Sequence, residues 1–237
     1  MPSHITHILL AKDIYEKGKF SNIDYDYFIT FSLGADLTKY SKVRKLSHKV
    51  KQEELIINMF KYLEDNNLTT DEDLLGTIYG HISHMIADKT IHKLIYQESK
   101  SCPNKKLKNH LLLESHYDNY ILKEKLGYEV NKFKLKKYLK VNLNKVSKML
   151  DYAYYQTYGY KHISVYYRLM LFLYRRFDLI YLIKLKFLKH ISNYDIFIKD
   201  NYSCVNNQEF LKLFTECIDE TIQIFKNFTI NKKSASN

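Results

Sequence analysis

Apolar residues recur along most of this chain at the three- and four-residue spacing of an α-helix, and no segment alternates for long with the two-residue period of a strand. Ser3 offers an N-cap for a first helix that stops near Gly18. Residues 19–47 read as irregular, with turn formers Ser21, Asn22, Asp24 and Asp26 followed by Gly34-Ala35-Asp36. A helix over 45–64 would turn Leu55, Ile56, Met59 and Phe60 inward. After a loop at 66–69, Thr70 and Asp73 resemble a capping box with Asp in the place of Glu, opening a helix over about 71–97. Pro103 marks the next loop, and a helix over about 105–126 ends at Gly127. Helices over 131–158, 162–190 and 206–228 complete the pattern, and the polar stretch 231–237 reads as a disordered tail. Neither an internal repeat nor a linker interrupts this series, which predicts one all-α domain over residues 1–230.

Composition agrees with this picture. In 237 residues there are only 6 Gly and 2 Pro, so helix breakers are scarce. No run of about 18 uncharged apolar residues exists; the nearest approach, 169–182, is broken by Arg175, Arg176 and Asp178. The N-terminus lacks a basic segment followed by an apolar one, so no secretory signal is predicted and a cytoplasmic location is expected. The 3 cysteines, Cys102, Cys204 and Cys217, form no C-x-x-C pair and read as free thiols.

Charge and histidine are unevenly distributed. The net charge is +11, and between Lys132 and Lys189 the only acids are Asp151 and Asp178, whereas His162 and His190 are the only histidines after residue 116. The first half therefore carries the chemistry and the second half reads as scaffold with a basic face. Runs such as Tyr166-Tyr167-Arg168 and Tyr174-Arg175-Arg176-Phe177 suit an anionic membrane surface or single-stranded nucleic acid, although aromatics at helical spacing are mostly core residues and Lys and Arg mostly solvated.

The chemistry concentrates in two segments. His84, Asp88 and His92 are spaced by four, and so are His110 and Glu114. On a helix that spacing keeps side chains on one face, and imidazole with carboxylate is a ligand set for zinc and similar divalent ions. Eight residues of helix put His84 and His92 about 12 Å apart along the axis, too far for one ion, so Asp88 would stand between two half-sites, one at His84 and the other at His92, His110 and Glu114. Upstream, His4, His7, Asp36 and His48 are further candidate ligands; periodicity leaves the direction of His7 open. His81 precedes His84 by one turn and reads as a packed neutral histidine or a group touching substrate, while Asp118 continues the Glu114 face and could orient a ligand histidine. His116 points off that face.

The opening Met1-Pro2-Ser3-His4-Ile5-Thr6-His7, the Leu33-Gly34-Ala35-Asp36 loop, His48, the stretch from Gly80 to His92, and His110-Leu111-Leu112-Leu113-Glu114 come in the order seen in zinc-dependent phospholipase C proteins. Over about residues 1–130 the chain resembles an intracellular-type member of that family and, more distantly, the single-strand-specific zinc nucleases that share its fold. The resemblance implies an all-helical cleft holding two or three zinc ions. One would take Asp36, His48, His84 and Asp88; a second His92, His110 and Glu114; a third His7 and a share of Asp88. Secreted relatives complete the third site with the amine of an N-terminal Trp, a place that Met1, Pro2 or His4 would fill here. The resemblance further implies a phosphoester hydrolase, with Asp36 as general base and a phospholipid head-group ester as substrate. The alternatives are a phosphodiesterase acting on single-stranded nucleic acid and a catalytically silent metal-binding module. Oligomeric state is not predicted.

Overall fold

A computed structural model describes residues 4–38, 41–101, 110–127, 132–176 and 205–234, with the backbone alone at 45, 49, 111, 112 and 228–234. Among the described residues there are helices and no strands. In chain order they are α1 His4–Gly18, α2 Tyr25–Phe31, a 3-10 turn at Gly34–Thr38, α3 Arg44–Lys49, α4 Gln52–Asp65, α5 Glu72–Ser101, α6 His110–Leu126, a second 3-10 turn at Leu135–Tyr138, α7 Leu143–Tyr158, α8 Ile163–Arg175 and α9 Asn207–Ser234. The all-α expectation is met.

The long helix α5 is the centre. Every residue from Leu74 to His84 is buried, so this half of the helix is enclosed on all sides rather than presenting one apolar stripe. Such enclosure requires close neighbours and partnered polar groups. Gly76 and Gly80 supply the first: a β-carbon on either would lie 2.7 Å from a carbonyl oxygen, of Asp24 and Phe28 respectively, so α2 rests backbone to backbone on α5. Around this axis α9 packs against α5 and α1, α1 against α6, α4 against α7, and α7 against α8. Phe28, Phe31, Tyr117, Tyr154, Tyr167, Phe210 and Phe225 are among the large fully or almost fully buried side chains of one apolar cluster running from Ile5 to Phe225. Burying each stabilises by roughly 1.5–3 kcal/mol, before the entropy cost of ordering it.

Several boundaries differ from the sequence expectation for local reasons. The 19–47 stretch is not irregular throughout: Asp24 accepts a hydrogen bond from the Tyr27 amide and caps α2, a seven-residue helix whose aromatic and β-branched composition is outweighed by its packing on α5. The helix expected over 45–64 is broken where Val50 is extended and Lys51 is left-handed (φ 57°), separating α3 from α4; Leu55, Ile56 and Met59 are buried as expected and Phe60 packs against the core. The cap of α5 is Asp71, which accepts from the amides of Asp73 and Leu74, rather than Thr70, and α5 continues to Ser101. Asn142 caps α7, so that helix begins later than 131. Asp151 receives the amide and hydroxyl of Ser164, which ties the start of α8 to α7. The last helix extends to Ser234, into the stretch expected to be a disordered tail; 235–237 lie outside the described residues, as do Cys102, Cys204 and the 177–190 part of the helix expected over 162–190. Cys217 is a buried free thiol. No helix among the described residues is long and apolar enough to cross a membrane.

Candidate metal centre

Four helices and the first 3-10 turn converge on one line of imidazoles and carboxylates. From α5 come His84, Asp88 and His92, which share a face as their spacing requires. α1 supplies His7, and α6 supplies His110 and Glu114; Asp36 lies on the 3-10 turn and His48 on α3. Three triads in this line have one donor atom per residue within 4.8 Å of one another: His48, His84 and Asp88; His7, Asp88 and His92; and His92, His110 and Glu114. Asp88 belongs to two triads and so does His92, while His84 and His92 never share one. That is the division expected from their separation along the helix.

The contacts define the line in detail. Asp88 directs one oxygen to His84 Nε2 (3.4 Å) and the other to His7 Nε2 (3.4 Å) and His92 Nε2 (3.1 Å). The opposite nitrogen of His92 lies 3.2 Å from Glu114 Oε1, which is also 2.9 Å from His110 Nε2. At the other end, Asp36 Oδ1 lies 3.2 Å from His48 Nε2 and Asp36 Oδ2 3.4 Å from His4 Nε2.

Tautomers follow from carbonyl partners. His84 Nδ1–H donates to Ser32 O (3.0 Å) and His48 Nδ1–H to Arg44 O (2.7 Å), so in the neutral ring each Nε2 lone pair is directed into the cluster. His84 Nε2 and both ring nitrogens of His7 are buried and make no hydrogen bond despite the nearby Asp88 oxygens. Buried polar atoms of this kind are costly unless something satisfies them, and a cation between imidazole nitrogen and carboxylate oxygen does so. The residues present therefore fit a metal of the zinc type.

The position of Asp36 depends on Gly34. Its φ is +37°, and a β-carbon there would stand 2.6 Å from Cγ of the His84 ring, so the 3-10 turn lies flat against that histidine. Electrostatics match the geometry. Burial opposes ionisation of Asp36, but His48, His4 and His84 hold its carboxyl well below the usual carboxylate range. Burial likewise opposes the charge on Asp88, yet His84 and His92 hold it well below that range, and Glu114 is lowered by His110 and His92 against the same penalty. Burial and the neighbouring His84 lower His7, whereas His84 and His92 are raised, against burial, chiefly by Asp88.

The remaining sequence candidates have other partners. His81 is packed: Nδ1–H donates to Thr77 O (2.9 Å), Nε2 accepts the hydroxyl of Tyr167 (2.8 Å), and burial lowers its pKa to about 4. Asp118 orients no ligand histidine directly. Its Oδ1 accepts from the amide (2.9 Å) and hydroxyl (2.6 Å) of Thr6, holding the first turn of α1 beside His7, and burial raises its pKa to about 7. His4 is absent from the triad of His7, Asp88 and His92; it stands at Asp36 with the Tyr174 hydroxyl 2.7 Å from its Nε2. His116 pairs with Asn207. Tyr167 and Tyr174, read from sequence only as core or surface aromatics, thus touch residues of this neighbourhood; their one sequence signal is a seven-residue spacing that puts two polar-tipped rings on one face of α8.

The fold is all-helical, and its overlapping His and carboxylate triads could hold metal ions. Residues 4–164, more than half of the 237, match the model of the family zinc dependent phospholipase C, and the chain belongs to that family. No curated protein and no solved structure gives a significant match.

Proposed function

We propose that this protein is a zinc-dependent phosphoester hydrolase that cleaves a phosphodiester of phospholipid type. The observation that carries the reading is the line of three triads joined through Asp88 and His92, buried at one side and open at the other. The side chains of His7 and His84 are 2% exposed, whereas those of Asp36, His48, His92 and His110 are 24–37% exposed. Structural zinc sites are closed by four protein ligands, while catalytic ones keep a position for water or substrate; a triad of His92, His110 and Glu114 beside solvent suits the second kind.

The assignment of roles follows. Asp36, His48, His84 and Asp88 form one metal site; His92, His110 and Glu114 a second; His7 with Asp88 the basis of a third. Zinc bound there would lower the pKa of water and neutralise charge on phosphoryl oxygens. Asp36, ionised at neutral pH and partly exposed, accepts the proton of the attacking water as its oxygen bonds to phosphorus; the ester P–O bond breaks and the alcohol leaves with a proton from solvent. His84 and His48 keep their orientation through the carbonyls of Ser32 and Arg44.

The test is to count zinc in the purified protein and to assay phosphatidylcholine and bis-p-nitrophenyl phosphate with and without a chelator. Bound zinc, chelator-sensitive turnover, and its loss in His84→Ala and His92→Ala are expected. Absence of bound metal, or turnover unchanged in both variants, sinks the reading; cleavage of single-stranded DNA with no action on lipid would move the substrate to nucleic acid.

A further inference from the structure

α8 lies in the half of the chain that carries none of the candidate ligands, and most of it lies beyond residue 164, where the family match ends. Two of its tyrosines nevertheless point into the ligand region. Tyr167 and Tyr174 are both essentially inaccessible to solvent and lie two turns apart on the inner face of the helix. Tyr167 is locked in a complete donor–acceptor chain: the Tyr154 hydroxyl meets that of Tyr167 at 3.0 Å, Tyr167 donates to His81 Nε2, and His81 donates to Thr77 O. Its ring also stands against Phe31 at 5.9 Å between centroids. These contacts fix the register of α8 on α5.

With that register set, Tyr174 reaches His4. The hydroxyl is 2.7 Å from His4 Nε2 and the rings meet edge to face at 4.5 Å, so both the position and the tilt of the imidazole are held. His4 Nε2 in turn stands 3.4 Å from Asp36 Oδ2. Asp36 thus has a neighbour at each oxygen: His48 Nε2 hydrogen-bonds to Oδ1, and His4 Nε2 stands beside Oδ2. An imidazole held at Oδ2 restricts rotation of the carboxylate about its Cβ–Cγ bond.

We propose that Tyr174 is a positioning residue which, through His4, aims Asp36 at the metal bound by His48 and His84, and that His4 serves here as a spacer and not as a ligand. This rests on the metal-site reading above. Groups that orient a ligand without touching the metal typically change metal affinity 10–100-fold when removed. Tyr174→Phe deletes one oxygen and keeps the ring, which makes it the sharp probe. Zinc binding to the metal-free protein, measured by competition with a chromophoric chelator, is expected to weaken about tenfold in Tyr174→Phe and to be unchanged in Tyr155→Phe, a tyrosine 46% exposed on α7. Melting of the metal-free protein distinguishes this from a purely structural role, which would lower the melting temperature and leave zinc affinity intact. Affinity within twofold of the wild type overturns the proposal. Should Tyr174→Phe fail to fold, His4→Gln is decisive in its place, with the same loss expected and the same result overturning it. A wild-type protein that binds no zinc overturns the metal reading itself, whereas zinc binding indifferent to these variants overturns only the role of Tyr174.

Discussion

Gly34 lies under the ring of His84, so close that a β-carbon on the glycine would be 2.6 Å from the imidazole Cγ and 2.7 Å from Cδ2. The contact joins the turn that carries Asp36 to the helix that carries Asp88. Its backbone also has a φ of +37°, which L side chains rarely adopt. Gly34→Ala is therefore expected to displace either the turn or His84, with a stability cost of about 1–3 kcal/mol and loss of turnover by more than the change in stability accounts for. Chemical denaturation alongside a phosphodiesterase assay checks both parts.

The close seat of α2 on α5 makes a second prediction. Gly80→Ala would put a methyl group 2.7 Å from Phe28 O and 2.8 Å from the Phe31 carbonyl carbon, both backbone atoms that cannot step aside as a flexible side chain can. The expected destabilisation is about 1–3 kcal/mol, which denaturant unfolding measures. Gly127→Ala, at a site where nothing lies within 4 Å, should cost less and only through its φ of +67°.

Asp118 separates hydrogen bonding from charge. Asp118→Ala removes the acceptor for two Thr6 donors and should destabilise by about 1–3 kcal/mol, loosening α1 and with it His7. Asp118→Asn keeps an acceptor. Because burial raises the folded pKa of this carboxyl to about 7, above its ordinary 3.8, the folded state holds the proton more tightly; that contribution is complete below 3.8 and is lost as pH rises through about 7. The difference in stability between Asp118→Asn and the wild type should thus move in favour of the variant between pH 4 and 8. Thermal melts across that range would contradict this if the difference stayed flat.

His81 works in the opposite direction. Its folded pKa of about 4 lies below the ordinary 6.5, so the unfolded chain binds the proton more readily. Its neutral state is favourable to folding at neutral pH, and that contribution is lost as pH falls from about 6.5 toward 4, by on the order of 3 kcal/mol. The acid limb of the stability profile should be shallower in His81→Gln than in the wild type, which titration of melting temperature from pH 7 to 4 would reveal.

Zinc itself should stabilise the fold. At a free concentration a thousandfold above its dissociation constant, a ligand that binds only the folded state contributes about 4 kcal/mol. Chelator is expected to lower the melting temperature of the wild type, and to lower it less in His92→Ala, which removes a residue common to two triads.

How much of this was legible beforehand depended on whether the signal was local. His84, Asp88, His92, His110 and Glu114 could be grouped because helix geometry alone determines which positions share a face. Their convergence with Asp36 and His48 rests on chain paths through residues 19–51, where the periodicity is weak; residue type made those two candidates, and only the resemblance grouped them with His84. α2 was missed because a seven-residue helix of aromatic and β-branched side chains owes its existence to Gly76 and Gly80 on another helix. The break at Lys51 has no glycine or proline to announce it. The direction of His7 could not be read because α1 is buried from His4 to Ala11 and so has no polar face to orient it. Tyr174 was legible only as an aromatic; its use depends on a partner 170 positions away.

His92 presents one ring nitrogen to Asp88 and the other to Glu114, and the two carboxylates raise its pKa well above the ordinary value against the pull of burial. An imidazole between two anions holds a second proton more firmly than a free one does, and a ring with both protons has no lone pair to offer a cation. Loading this centre is therefore an exchange of ions and not a simple capture: hydrogen ions must leave as metal arrives. Apparent affinity should climb with pH, and calorimetric heats of loading should change with the ionisation enthalpy of the buffer.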